Sequence, residues 1–395
     1  MFEIIDQSPQ EAVIKVIGVG GCGGNAIEHM MGKGLQGVEF IVANTDAQAL
    51  KRSTARMQLQ LGSGLTRGLG AGARPEIGRD AAMEDRDRIA ESIDGADMLF
   101  ITAGMGGGTG TGGAPVVAQV AKEKGVLTVA VVTRPFAFEG KRQKVAQAGI
   151  EELKKAVDSL IIIPNDKLMQ VLGEEVSVLD AYAAANDVLH SAVAGIAEVI
   201  NNPGLVNVDF ADVRTLMSEI GMAMMGSASA AGPDRARAAA ERAVASPLLE
   251  EVNLAGARGV LVNITASAGL KMREYHEVMN TIKAFTAEDA MVIVGTVIDD
   301  SMEDRLRVTM VATGLGGVVS ATSTGNKTRP PRLEVIEQVL DRTGTDGLGV
   351  RVGELDYDRL DQPAVIRRGR NPPPTGPAVS FDPSDIPAFL RKQAD

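Results

Sequence analysis

The chain is 395 residues long, 45% hydrophobic, and carries a formal net charge of −11 at pH 7. That length and apolar content suffice for two ordinary domains with separate cores, and the acidic balance argues against nucleic acid as a bulk electrostatic partner and against a basic, membrane-seeking face. A single cysteine, Cys22, rules out an internal disulfide, and no apolar run reaches the roughly 18 residues of a membrane-spanning helix.

Met1–Glu11 is acidic and lacks an apolar signal core, so a soluble cytoplasmic protein with no direct membrane insertion is expected. From Val13 onward, β-branched runs alternate with helical patterns: Val13–Val19, Val38–Ala43, Met57–Leu61, Met98–Ala103, Leu127–Thr133 and Leu160–Ile163. Their continuous hydrophobicity is that of a parallel sheet covered by helices on both faces. A long helix is expected from Val178 to Asn201, with Tyr182, Ala185, Leu189, Ile196 and Ile200 on one stripe, and Asn202-Pro203-Gly204 ends it. Beyond Leu205–Ser218 a second α/β unit follows, with strands near Gly259–Ala266, Val292–Ile298 and Leu306–Ala312. After Gly317 apolar periodicity fades, and residues 318–380 read as a disordered linker.

Two glycine loops carry the chemistry. The first strand runs into Gly18-Val19-Gly20-Gly21-Cys22-Gly23-Gly24-Asn25, and the fourth into a segment from Gly104 to Gly113 with seven glycines in ten residues. Glycine backbones approach anionic oxygens closely, helix N-termini supply positive potential, and Thr109 and Thr111 add hydroxyl donors. Gly18, Gly20 and Gly23 also satisfy the dinucleotide pattern GxGxxG, which keeps a nicotinamide-dependent oxidoreductase open, while two such loops favour one polyphosphate held from both sides. The lysine-bearing P-loop pattern GxxxxGK[ST] is absent. Cys22, at a helix start, is expected to have a lowered thiol pKa. His29, His190 and His276 stand apart, without metal-type clustering. Asp209 and Asp212 are placed to share the first turn of a short helix, as a cap with a solvent-facing acid or as a catalytic pair.

The block GGGTGTGG resembles the glycine-rich signature of the tubulin superfamily, GGGTG[ST]G. The match from Val13 to about Gly317, with a second at Asp385–Asp395, narrows it to the FtsZ family of bacterial cell-division GTPases. The resemblance implies a tubulin-like two-domain α/β fold. A parallel-sheet GTP-binding domain (1–177) joins through a central helix (178–202) to a smaller α/β, GTPase-activating domain (203–317), then to the linker and a partner-binding peptide (381–395). It implies GTP or GDP with Mg²⁺, bound by Gly21, Cys22, Gly23, Gly24 and Asn25, by Gly107, Gly108, Thr109, Gly110 and Thr111, and by Ala71 and Gly72 near the γ-phosphate. Glu139 and Arg142 would lie near the ribose, although their spacing is one residue shorter than the family's EGxxR. Asn25, Asn165, Asn186 and Asp187 would read guanine, with Tyr182 stacked on the ring.

Asn207, Asp209 and Asp212 would then reach the nucleotide on the next subunit of a head-to-tail homopolymer, the carboxylates orienting the attacking water. In the tail, Ile386, Phe389 and Leu390 stand at i, i+3 and i+4, a groove-binding pattern. By resemblance, that peptide tethers filaments to membrane-bound and regulatory division proteins at mid-cell, on the inner face of the membrane. A non-polymerising GTP-binding regulator is the remaining rival.

Overall fold

The computed structural model describes residues 12–173, 176–201, 208–218, 221–249, 257–287 and 290–315; Asn207, the linker at 318–380 and the peptide at 381–395 lie outside the described residues. The six apolar runs become β1 (Ile14–Val19), β2 (Val38–Asn44), β3 (Met57–Gln60), β4 (Met98–Gly104), β5 (Leu127–Arg134) and β6 (Ser159–Pro164). All six are parallel, in the order β3-β2-β1-β4-β5-β6. Helices α1 (Gly20–Gly32), α2 (Ala47–Arg52), α3 (Ser63–Thr66), α4 (Pro75–Glu84), α5 (Arg86–Ser92), α6 (Thr109–Glu123), α7 (Lys141–Ala156) and α8 (Asn165–Leu172) alternate with or follow them, and α9 spans Val178–Asn201.

Successive side chains of a strand face opposite sides. Ile14 and Val16 of β1 enter a core shared with α1 and α9, whereas Ile17 and Val19 enter one beneath α4, α5, α6 and α7. Both faces are covered, as the continuous apolar runs require. The buried stripe of α9 holds Ala181, Ala185, Leu189, Val193 and Ile196. Tyr182 is off that stripe, 43% exposed, because it turns instead toward Phe136, with ring centroids 5.8 Å apart.

Beyond α9 come α10 (Phe210–Met217), β7 (Gly221–Ala231), α11 (Arg235–Val244), β8 (Gly259–Ala266), α12 (Met272–Lys283), β9 (Met291–Ile298) and β10 (Arg305–Leu315). β7 continues the sheet parallel to β6; β10 runs antiparallel to β7 and β8, and β9 parallel to β8. One ten-stranded sheet, β3-β2-β1-β4-β5-β6-β7-β10-β8-β9, therefore runs through both halves. The sequence pattern does not mark β7, whose residues are Gly, Met, Ala and Ser without β-branching. Small residues serve here because α11 lies directly on the strand: a Cβ on Gly226 would stand 2.0 Å from Ala243 O. α9 is held to the second half by Glu198, which accepts hydrogen bonds from Arg307 of β10 at 2.8 and 3.1 Å. Among the described residues no helix is long and apolar enough to cross a membrane.

Candidate functional site

In an open parallel sheet the ligand crevice lies beyond the C-terminal ends of the strands, where neighbouring connections leave for opposite faces. Here that point falls between β1, which feeds α1 on one face, and β4, which feeds α6 on the other. Both glycine segments start there. Gly21, Cys22, Gly23, Gly24 and Asn25 lie within the first turns of α1, and Thr109, Gly110 and Thr111 open α6. First-turn N–H groups lack intrahelical acceptors, so two helix starts converge with free donors and positive dipole ends.

The two starts touch. Gly20 has a φ of +76°, and a Cβ on it would stand 2.8 Å from Gly110 N. A Cβ on Gly21, Gly72 or Gly107, by contrast, would meet no atom of the described residues within 4 Å, so these backbones border open space. The segment Gly68–Ala73 closes the rim. Gly70 N donates to Thr45 O at 3.2 Å, and a Cβ on Gly108 would stand 2.8 Å from Cβ of the buried Ala71. The hydroxyls of Thr45 and Thr109 share a hydrogen bond of 2.6 Å. Thr111 departs from its expected role as a hydroxyl donor toward the crevice. It is 2% exposed and its Oγ1 accepts from Gly106 N at 2.9 Å, bracing the glycine segment from beneath.

Glu139 and Arg142 come together despite their short spacing. Arg142 Nη1 pairs with Glu139 Oε2, and Arg142 Nε donates to Gly106 O at 3.4 Å, so the pair is tied to the glycine segment. Cys22 lies close by, its Sγ 3.7 Å from Thr133 Oγ1. The expectation of a lowered thiol pKa is overturned: the residue has an exposed face, yet burial of the sulfur among protein atoms raises its pKa and outweighs the Thr133 hydrogen bond and the Arg142 charge. Here desolvation wins over the helix start.

On the other flank, Tyr182 feels the charges of Glu139 and Arg142, and burial raises its pKa. Asn165, the first residue of α8, is 5% exposed, and its Oδ1 has no hydrogen-bond partner among the described residues. Asn186 is half-buried, and Asp187 is exposed. Asp187 Oδ1 is held by His29 Nε2 at 2.8 Å and Lys33 Nζ at 3.2 Å. Burial would raise the Asp187 pKa, but the His29 and Lys33 hydrogen bonds outweigh it and keep the carboxyl below its usual range. Asn25 and His29 are four apart on α1 and share a face, which carries Asn25 toward the same region. Sequence reasoning missed His29, Lys33 and Phe136. For His29 a signal existed in its i+4 spacing from Asn25; Lys33 and Phe136 carry none.

Asp209 and Asp212 are elsewhere. Asp209 is the N-cap of α10, with a backbone cap geometry and no side-chain cap bond among the described residues; Asp212 is in the first turn, and both are exposed. Arg214 and Ser218 of the same segment line a cavity of about 210 Å³ together with Gly125, Val126 and Leu127 at the start of β5. Thr133, beside Cys22, is at the other end of that strand. At about 3.3 Å per residue, the end of β5 beside Arg214 of α10 and the end beside Cys22 lie roughly 20 Å apart.

Residues 13–173 match the GTPase domain of the Tubulin/FtsZ family, and residues 221–316 match the FtsZ family C-terminal domain. A cell division protein FtsZ from Azotobacter vinelandii is 56% identical over 405 residues, and one from Pseudomonas putida is 55% identical over 401, each covering 100% of both chains. An empty FtsZ dimer from M. jannaschii is 43% identical, with a TM-score of 0.74 over 77% of this chain and 89% of its own. Two converging glycine-bearing helix starts at the switch point of the sheet, matched along the whole length, settle the family: the chain belongs to the Tubulin/FtsZ family.

Proposed function

We propose that the protein is a GTPase of bacterial cell division that assembles head to tail, each copy delivering Asp209 and Asp212 to the nucleotide held by the next. The observation that carries this reading is the separation of those acids from the glycine crevice by the length of β5. Side-chain motion cannot bridge roughly 20 Å, whereas a second copy stacked along the strand direction presents its α10 to the first copy's crevice. Such a contact is heterologous, and repeated without closure it builds a filament. Exposed apolar side chains at the two ends fit it: Leu69 (85%), Phe138 (82%) and Leu179 (82%) lie in segments flanking the crevice, and Met291 (52%) starts β9 near α10.

The residues fit the implied nucleotide. Backbone N–H groups of Gly21–Gly24 and Gly107–Thr111 face the phosphates, and Ala71 and Gly72 border the terminal one. Glu139 and Arg142 take the ribose. The orphaned Oδ1 of the buried Asn165 needs a polar partner, which a purine edge supplies, and Asn25, Asn186 and Asp187 complete the reading of guanine with Tyr182 against the ring. A magnesium ion would be held chiefly by the nucleotide's phosphates rather than by a protein cage. Bound there, it would neutralise charge on the phosphoryl group in transfer. Asp209 and Asp212 then orient the attacking water and accept its proton, and Asn207 extends that set. The peptide 381–395 recruits filaments to membrane-tethered division proteins at mid-cell.

The test is specific GTPase activity against protein concentration, with light scattering in GTP and in GDP. Activity per molecule that rises with concentration alongside GTP-dependent scattering is expected; a constant specific activity contradicts the shared site and favours the non-polymerising regulator.

A further inference from the structure

The Asp187 carboxylate is not held symmetrically. Oδ1 takes both His29 Nε2 (2.8 Å) and Lys33 Nζ (3.2 Å), and Oδ2 has no protein partner among the described residues. The two side chains come from the far end of the helix whose beginning faces the phosphates: His29 is in the last turn of α1, and Lys33 is its C-cap. Lys33 N donates to His29 O at 3.0 Å, which fixes the backbones from which the two arms of this fork reach out. From α9, Ser191 Oγ donates to the Asp187 backbone oxygen at 2.8 Å, which leaves the carboxylate to α1. Asp187 is half-exposed, so its side chain would otherwise sample several rotamers, and the fork removes that freedom.

We infer that His29 and Lys33 are specificity-determining positioning residues, which pin one oxygen of Asp187 so that the other is presented as a fixed acceptor to a purine carrying an N1–H and an exocyclic 2-amino group. This rests on the guanine reading above. A carboxylate is acceptor-only, so a base that keeps N1–H but lacks the 2-amino group offers Asp187 one donor fewer and is bound less tightly. The fork also keeps the group ionised: the hydrogen bonds from His29 and Lys33 hold Asp187 below its usual range. The phosphates, bound at the start of α1, are untouched by this discrimination.

The readout is the ratio of affinities for GDP and for IDP, which lacks only the 2-amino group, in competition against a fluorescent nucleotide on the full chain. The parent is expected to prefer GDP by about tenfold or more. His29→Ala with Lys33→Ala should bring the ratio to within about threefold while IDP affinity changes little, and His29→Gln, which returns an N–H near the position of Nε2, should restore most of it. Lys33→Met, at a half-exposed position, gives a second reading should the double variant fold poorly. A full GDP preference in Lys33→Met and in the double variant overturns the inference. Asp187→Asn separates the two levels. It should lose the GDP preference and gain affinity for XDP, whose 2-oxo group needs a donor; if instead Asp187→Asn keeps the parent's ratio, the guanine reading of Asp187 fails and the inference falls with it.

Discussion

Gly20 and Gly110 meet where α1 and α6 begin: a Cβ on Gly20 would stand 2.8 Å from Gly110 N. Two helix starts can share one crevice only because neither carries a side chain at the contact. Gly107, in the same segment, has no atom of the described residues within 4 Å of its Cβ position.

Gly110→Ala, whose Cβ would press on Gly104 O at 2.8 Å, is expected to destabilise the fold by about 1–3 kcal/mol. Gly107→Ala should leave stability within about 0.5 kcal/mol yet weaken GDP binding about tenfold, since the methyl group enters the space meant for a phosphate. Urea unfolding and nucleotide titration separate the two, and normal GDP affinity in Gly107→Ala would remove Gly107 from the phosphate site.

Cys22 should alkylate slowly at neutral pH, because burial holds its thiol above the ordinary 9.0. The rate should keep climbing past pH 9, and bound GDP should slow it further. A rate that plateaus below pH 8, or one indifferent to nucleotide, contradicts both the environment and the location of the sulfur.

Burial and the positive charges of Arg307, His29 and Lys33 push the His190 pKa from 6.5 down to about 4, against a smaller opposing effect of Asp187. The unfolded chain therefore binds more protons between those values, and stability present above pH 6.5 is lost as pH falls toward 4. With screening by the solvent His190 still meets, the loss is on the order of 1–2 kcal/mol. His190→Gln should flatten that part of the profile of urea midpoint against pH, and an unchanged profile would assign the acid sensitivity to other groups.

Phe389→Ala should spare GTPase activity and assembly while abolishing recruitment of filaments to a partner-coated surface. Each anchor contributes at most about 1.5–3 kcal/mol, so recruitment depends on many tails acting together. Failure of assembly in the purified variant, with recruitment intact, would place the peptide in the filament contact.

Much of this was legible in the sequence, and for physical reasons. Continuous apolar runs marked β1, β2, β3, β4, β5 and β6 because buried parallel strands leave that imprint. The glycine segments marked the crevice because close backbone approach excludes side chains. β7 was not legible: its Gly-Met-Ala-Ser composition answers to the tight approach of α11 through Ala243, a tertiary demand with no local signature. The inward turn of Thr111 and the raised Cys22 thiol were hidden likewise, since both depend on what surrounds them. The Asp187 fork joins residues 158 apart in sequence, and only the packing of α1 against α9 reveals it.

In the proposed shared site one chain supplies the crevice and another the acids, and complementation tests that division most directly. Asp212→Asn keeps its crevice and loses its acid; a second variant, Gly107→Val, keeps its acids and has its phosphate space filled. Each alone should be nearly inactive. Mixed in equal amounts, about a quarter of random head-to-tail contacts join an intact crevice to intact acids, and GTPase activity should return to about that fraction of the parent's. Activity that stays at the sum of the two separate variants would contradict a site shared between copies.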